Sequence, residues 1–135
     1  IYTRSDTLSL HDALPIYVCV QVPRIKYEDM VYDGKDLYTN EYMRSTVERV
    51  FNIQKERFAD EKYSLNSSIP AADVSRYCIL DREAENLMNS IYDSCDLSAR
   101  GYHKLLKVAR TIADIDGSEY IMAEHICEAS GYRMV

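Results

Sequence analysis

The stretch Ser98–Gly117 predicts a helix more strongly than any other part of the sequence, and the rest of the fold must accommodate it. Ser98 is a good N-cap because its hydroxyl can accept a hydrogen bond from an amide of the first turn, and Gly117 suits the left-handed position after a helix. Apolar residues recur between them at helical spacing: Tyr102, Leu105, Leu106, Ala109, Ile112 and Ala113. The opposite arc carries Arg100, His103, Lys104, Lys107, Arg110 and Thr111. The pattern predicts one buried face and one basic face.

Arg100 stands out because it falls in the first turn of this predicted helix. The helix dipole is positive there, so a cation is mildly unfavourable unless an anion comes to meet it. Free backbone amides together with a guanidinium can bind a phosphate group. Spacing alone leaves two interpretations open, a phosphate-binding residue and a solvated arginine that the helix tolerates.

Helical signals also lie on both sides of this stretch. Periodicity predicts a helix over residues 41–58, capped by Asn40, and its charged residues are expected to form a solvated face. Those residues are Arg44, Glu48, Arg49, Lys55, Glu56 and Arg57. Pro70 suits the first position of a short helix over residues 70–77, Asp81 is a good N-cap for the next helix, and a last helix is predicted over residues 121–130. The predicted fold class is mainly α, a small bundle of about four to five helices.

Composition excludes several classes of protein. Hydrophobic residues make up 47% and charged residues 28% of the 135 residues, as in a globular domain. The net charge of −6 argues against a domain that binds nucleic acid by itself. No apolar run is long enough to span a membrane and no signal peptide is recognised. The four cysteines lack metal or redox spacing, so we predict a reduced, cytoplasmic protein.

Neither histidine in the predicted helices has the surroundings of a metal ligand. His125 has no second ligand at metal-binding spacing, so a structural role is favoured. His103 is expected to be a surface or packing histidine. The sequence therefore predicts no metal site.

Residues 1–16 differ in kind from the rest of the sequence. From Asp6 onward they resemble one reading frame of a common short-read sequencing adapter, and Ile1–Thr3 fits the upstream part of the same oligonucleotide. We interpret residues 1–16 as an adapter-derived artefact joined to a genuine gene fragment. The alternative is a real leader that happens to match. Such a segment is excluded from the reasoning on the fold.

The stretch Leu97–Glu119, which begins Leu97-Ser98-Ala99-Arg100, closely resembles the C-terminal domain of magnesium-chelatase-like AAA+ ATPases. Other matching pieces follow the order of the family: Val22-Pro23-Arg24, Val47-Glu48-Arg49, Glu56-Arg57-Phe58, Tyr77-Cys78, Leu80-Asp81, Glu124-His125-Ile126 and Tyr132-Arg133. The resemblance spans roughly Tyr17 to Arg133, and its nearest branch is that of bacterial competence-associated proteins. Gly101 departs from the alanine usual in the family.

The resemblance implies a domain organisation and a role for Arg100. Residues 40–135 would form the helical lid, and residues 17–39 a linker with a remnant of the ATPase core. That remnant includes Tyr17–Val22, a β-branched run closed by Pro23 that predicts one orphan strand without its neighbours in the core sheet. Arg100 would be the sensor-2 residue, which contacts nucleotide phosphate and so serves both catalysis and nucleotide binding.

The resemblance also implies what the parent protein would need. Its ATPase core would bind ATP and magnesium, and the parent would assemble as a homo-hexamer that remodels DNA, without membrane contact. This sequence has only four glycines and no Gly-rich loop ending in Gly-Lys-Ser or Gly-Lys-Thr, so the fragment alone is expected to bind no cofactor and to hydrolyse no ATP. Two alternatives remain, the lid of a magnesium chelatase ATPase subunit and a non-catalytic helical module that binds a protein.

Overall fold

The structure, a computed structural model, describes residues 17–31 and 38–133. Within these ranges the chain forms six α-helices. They are α1 (Tyr27–Val31), α2 (Asn40–Arg57), α3 (Val74–Tyr77), α4 (Arg82–Ser94), α5 (Ala99–Asp116) and α6 (Ala123–Gly131). Short 3₁₀ turns cover Asn66–Ser68 and Ala71–Asp73. The prediction of a mainly helical bundle is confirmed.

Helix α5 lies at the centre of the hydrophobic core. Helix α6 packs along it, and α4 packs on α6. The predicted apolar stripe supplies much of the buried surface, because Leu105, Leu106, Ala109, Ile112 and Ala113 are all buried. Ile126 and Ala129 of α6 and Met88 of α4 meet the same cluster. Since this stripe is the largest single contribution to the core, α5 determines the arrangement of its neighbours.

The helix ends agree with the sequence where the signal is local. Ser98 caps α5, Gly117 adopts the left-handed conformation at φ 72°, and Asp81 caps α4 by accepting from the N–H of Ala84 at 2.7 Å. Asn40 is not a cap, and that prediction was wrong. Thr39 takes this role because its hydroxyl accepts from the N–H of Tyr42 at 3.2 Å.

The strand predicted at Tyr17–Val22 is not formed. Residues 17–26 have no regular secondary structure. The Tyr17 hydroxyl donates to the carbonyl of Ser67 at 3.1 Å, and the Cys19 N–H donates to the carbonyl of Tyr132 at 2.8 Å. A strand requires a neighbour that accepts its ladder of hydrogen bonds. The described residues offer none at this position, so the β-branched pattern alone does not produce a strand.

Two further boundaries differ from the prediction. The short helix expected from Pro70 is divided into the 3₁₀ turn and α3. The last helix begins at Ala123 rather than at Ile121, because Ile121 pairs with the chain before α4. Its N–H donates to the carbonyl of Ile79 at 2.8 Å, and its carbonyl accepts from the N–H of Asp81 at 3.0 Å. This isolated bridge joins the starts of α4 and α6.

Residues 1–16, for which an adapter origin is predicted, lie outside the described residues, as do residues 32–37 and 134–135. The boundaries proposed at residues 16, 39 and 40 stay predictions. None of the helices in the described ranges combines the length and the apolar character that a membrane crossing requires.

Candidate functional site

The amino-terminal end of α5 presents the arginine that the sequence singles out. The Ser98 hydroxyl accepts from the N–H of Gly101 at 3.1 Å and thereby caps the helix. Arg100 is the second residue of α5, and it is exposed. The first amides of a helix have no acceptor within the helix, and the dipole there favours an anion. Arg100 therefore stands at an accessible helix end with a preference for negative charge.

Gly101, the departure from the family pattern, lies in a crowded place. A Cβ atom there would be 3.2 Å from Leu97 Cδ2 and 3.3 Å from the capping oxygen of Ser98. Both neighbours would have to shift by a few tenths of an ångström to admit alanine. The glycine relieves this crowding, which offsets part of its ordinary cost of about 1 kcal/mol within a helix.

The next cations on this side of α5 contact protein groups. The Lys104 ammonium lies 5.8 Å from the ring centroid of Tyr17, and the Lys107 ammonium donates to the carbonyl of Ser67 at 3.1 Å. Both side chains are half-buried, and burial lowers the pKa of Lys107. His103 is also half-buried. Within the described helix α5, Arg100 is more exposed than the other basic residues that were predicted to share this face.

Arg110 corrects the predicted basic face, because it is buried rather than solvent-facing. Only 3% of its side chain is exposed, and its Nε donates to the Asp114 carboxylate at 3.1 Å. Its two terminal nitrogens donate to the backbone carbonyls of Ser118 and Glu119, the latter at 2.7 Å. The guanidinium thus joins the end of α5 to the loop that follows it. This arginine serves the structure of the domain rather than binding a ligand.

Arg57 departs from the solvated face predicted for α2, and Arg49, which is exposed as predicted, nevertheless contacts the protein. Arg57 forms a two-pronged ion pair with the fully buried carboxylate of Asp114, with Nη1 2.8 Å from Oδ2. Arg49 donates to the backbone carbonyl of Ile115 at 2.8 Å. Asn66 adds a hydrogen bond from Nδ2 to Asp114 at 2.8 Å. Together with Arg110, these groups fix the carboxyl end of α5.

Asp114 is the centre of this buried network. Burial opposes its ionisation, but hydrogen bonds from Arg57 and Asn66 and the charge of Arg110 outweigh it and hold the pKa of Asp114 below its ordinary value. The spacing of Arg110 and Asp114, four residues apart on one helix, is a signal that sequence reasoning could have used. No local pattern marks Arg57 or Asn66 as its partners, because both contacts join distant parts of the chain.

A cleft of about 360 Å³ lies beside the first turns of α5. Tyr102, His103 and Leu106 line one side, and Cys78 and Glu85 lie among the residues of the other. Burial raises the pKa of the Cys78 thiol to about 11, so the reactive thiolate is scarce at neutral pH. The cleft therefore offers a polar cavity near the arginine end of α5 rather than a nucleophilic site.

Three side chains near the start of α6 come close enough to suggest a metal site. Potential ligand atoms of Asp116, Glu124 and His125 lie within 4.8 Å of one another. However, Nδ1 of His125 accepts from the backbone N–H of Met122 at 2.9 Å, so the proton of the neutral ring is on Nε2. Nε2 lies 3.1 Å from Asp116 and donates to it. A metal would need the lone pair of Nε2, which this tautomer does not offer.

His125 instead replaces the cap that Met122 cannot provide. We predict that His125→Ala lowers the free energy of unfolding by about 2–4 kcal/mol, because the start of α6 loses its side-chain acceptor and the buried ring leaves a cavity. Glutamine at this third helical position can reach back to the same N–H, so His125→Gln should recover part of the loss. Urea denaturation of the two variants and the unaltered chain measures this. Equal losses in both variants, or a rise in Tm with Zn²⁺ that requires His125, would contradict the capping role.

Comparisons with known proteins agree with this architecture. The family described as "Magnesium chelatase, subunit ChlI C-terminal" matches residues 38–133. The chain is 32% identical over 114 residues to the "Competence protein ComM" of Haemophilus influenzae, and 34% identical over 91 residues to the "Uncharacterized protein YifB" of Escherichia coli. The YifB protein of Salmonella typhimurium is 32% identical over 91 residues.

Each match covers most of this chain but only a small part of the relative. The match to the Haemophilus protein covers 84% of this chain but 22% of that protein. For each YifB protein the shares are 67% and 18%. The chain thus spans about a fifth of the length of these curated relatives.

Proposed function

Since the chain belongs to the family of magnesium chelatase ChlI C-terminal domains, we propose that it is the lid of an AAA+ ATPase and that Arg100 contacts the nucleotide phosphates. The observation that carries this proposal is the position of Arg100, exposed at the second residue of a helix capped by Ser98. A planar guanidinium can donate two parallel hydrogen bonds to phosphate oxygens, and the helix end adds its positive dipole. The residues present at this end of α5 therefore fit a phosphate group.

The residues of this chain indicate what the lid and an ATPase core would each contribute to nucleotide binding. This chain holds no Gly-rich phosphate loop, so the core would grip the phosphates and the magnesium ion. ATP, when bound, would supply the γ-phosphoryl group that is transferred to water. Arg100 would neutralise charge that develops on that group and would make ATP binding favour closure of the lid.

DNA remodelling is the substrate class we propose for the parent protein, on the basis of the Haemophilus relative named for competence. The acidic balance of this chain, −6 overall, opposes a phosphate-backbone contact by this domain. A hexamer of the parent would therefore hold DNA through other parts of the polypeptide. The same lid in a magnesium chelatase would act on a porphyrin instead.

The complete gene and its protein test this proposal. We expect an upstream Gly-Lys-Ser or Gly-Lys-Thr loop, and ATP turnover by the purified protein that branched DNA stimulates. Turnover stimulated by a magnesium-free porphyrin, with no response to DNA, would favour the chelatase. A complete protein that neither contains the loop nor binds ATP would refute the ATPase assignment and favour a module that binds a protein.

A further inference from the structure

Helix α2 carries an apolar stripe that is open to solvent and begins in the first half of the helix. Met43, Val47 and Phe51 follow each other at four-residue intervals and are 48%, 67% and 42% exposed. The same side of the helix continues into Val50 and Gln54, which are buried. The side of α2 that is buried at Val50 and Gln54 is therefore open to solvent at Met43 and Val47.

The position of Arg49 explains why Met43 and Val47 are open to solvent. Its guanidinium donates to backbone carbonyls of Asp114, at 3.4 Å, and Ile115, at 2.8 Å, in the last turn of α5. Helix α2 therefore passes the end of its main partner at this residue. At 1.5 Å per residue, the part of α2 that precedes Arg49 is about 13 Å long. That part projects beyond the helix against which the rest of α2 packs.

Exposed apolar residues are distributed unevenly along the described parts of the chain. Twelve of the seventeen large exposed hydrophobic side chains lie between Val18 and Phe51. The other five are Ile79, Tyr92, Ile115, Tyr120 and Met122. Contiguous exposed apolar surface commonly marks an interaction site. The three side chains of the stripe on α2 are regularly spaced along one helix, so they offer such a surface.

We propose that Met43, Val47 and Phe51 pack against the part of the polypeptide that precedes this domain in its parent protein. More than three quarters of the length of each relative has no counterpart in this chain, so such a partner has room to exist. A covalently linked partner loses less translational and rotational freedom on binding than a separate protein does. A short apolar stripe is therefore sufficient to hold it. A second copy of this chain would have to meet that cost from the same three side chains. The contact requires neither ATP nor Arg100, so it stands apart from the proposed function.

Hydrogen exchange tests the contact directly. The unmatched part of the Haemophilus relative is fused before residue 17 of this chain. We expect amide exchange over residues 42–51 to slow at least tenfold relative to the chain alone. Val47→Glu should abolish that slowing. Tyr120→Glu, a matched change at a side chain that is 46% exposed elsewhere, should preserve it.

Two results would overturn the proposal. One is unchanged exchange over residues 42–51 in the fusion, while α4, α5 and α6 keep their slow exchange and so report a folded domain. The other is amide exchange over residues 42–51 that slows as the concentration of the chain alone rises, while sedimentation shows that the chain forms dimers. That result would assign the stripe to a contact with a second copy. Neither readout involves nucleotide, so a failure here leaves the ATPase proposal separately testable.

Discussion

Replacing Asp114 with alanine should lower the free energy of unfolding by about 3–5 kcal/mol. The carboxylate is fully buried and pairs with both Arg57 and Arg110, whose side chains are 20% and 3% exposed. Its removal leaves two positive charges close together, with Arg110 unable to reach solvent. Asp93→Ala, which removes an exposed carboxylate of α4, is the matched control and should change stability by about 0.5 kcal/mol or less. Urea denaturation compares the two variants with the unaltered chain.

The pH dependence of stability provides a second test of Asp114. The pKa of this group is below its ordinary value of 3.8 in the folded chain, so its ionised form stabilises the fold above that pH. The stabilisation is lost as the pH falls from about 4 through the lowered folded pKa. Asp114→Asn cannot ionise, so its deficit relative to the unaltered chain should shrink over that acid range. A deficit that stays constant from pH 7 down to pH 2 would contradict the role assigned to the carboxylate.

Removing the side chain of Arg100 should reduce ATP turnover by the complete parent protein about 100-fold or more. The expected cause is the loss of a charged donor to the phosphates, since Arg100 is exposed and does not belong to the buried core. Arg100→Lys should rescue turnover only in part, because lysine keeps the charge but lacks the planar pair of donors. Steady-state turnover and the circular dichroism of the purified variants give the two readouts, chemistry and folding.

Arg82 offers a matched control for that experiment. It is the first residue of α4, behind the Asp81 cap, and like Arg100 it is an exposed arginine at a helix start. Arg82→Ala should leave turnover within about twofold of the original, since this helix start carries no proposed phosphate contact. Equal losses for Arg82→Ala and Arg100→Ala would reject a specific sensor role, as would normal turnover after Arg100→Ala.

Local signals in the sequence were sufficient to predict the three long helices α2, α4 and α5, but they did not predict α1 or every helix end. Ser98, Gly117 and Asp81 act within one turn of their own positions, so their residue types alone predict helix ends. The apolar stripe of α5 is also a local property, since its spacing decides which side faces the core. The prediction at Tyr17–Val22 failed because a strand depends on a neighbour elsewhere in the chain.

A helical wheel does not predict which charged residues of this domain are buried. A wheel separates apolar from polar residues, and it therefore placed Arg110 with the solvent-facing cations. Burial of an arginine depends on a carboxylate brought in by the fold, here Asp114, and on carbonyls at the helix end. Arg57 reaches the same carboxylate from α2, 57 residues away in the sequence. For Arg100, in contrast, a local cap and a family motif predicted the position at the helix start. Its role stays a prediction.

The anchoring of α5 at one end has a mechanical consequence for the other. Arg49, Arg57 and Arg110 hold its carboxyl end, and Arg100 lies near the opposite end of its 18 residues. A rod of that length measures about 27 Å, so a tilt of about 5° at the held end moves the far end by about 2 Å. That displacement is comparable to the difference between a direct hydrogen bond and a gap filled by water. Small reorientations of this helix would therefore be sufficient to form or break the proposed contact between the Arg100 guanidinium and nucleotide phosphate.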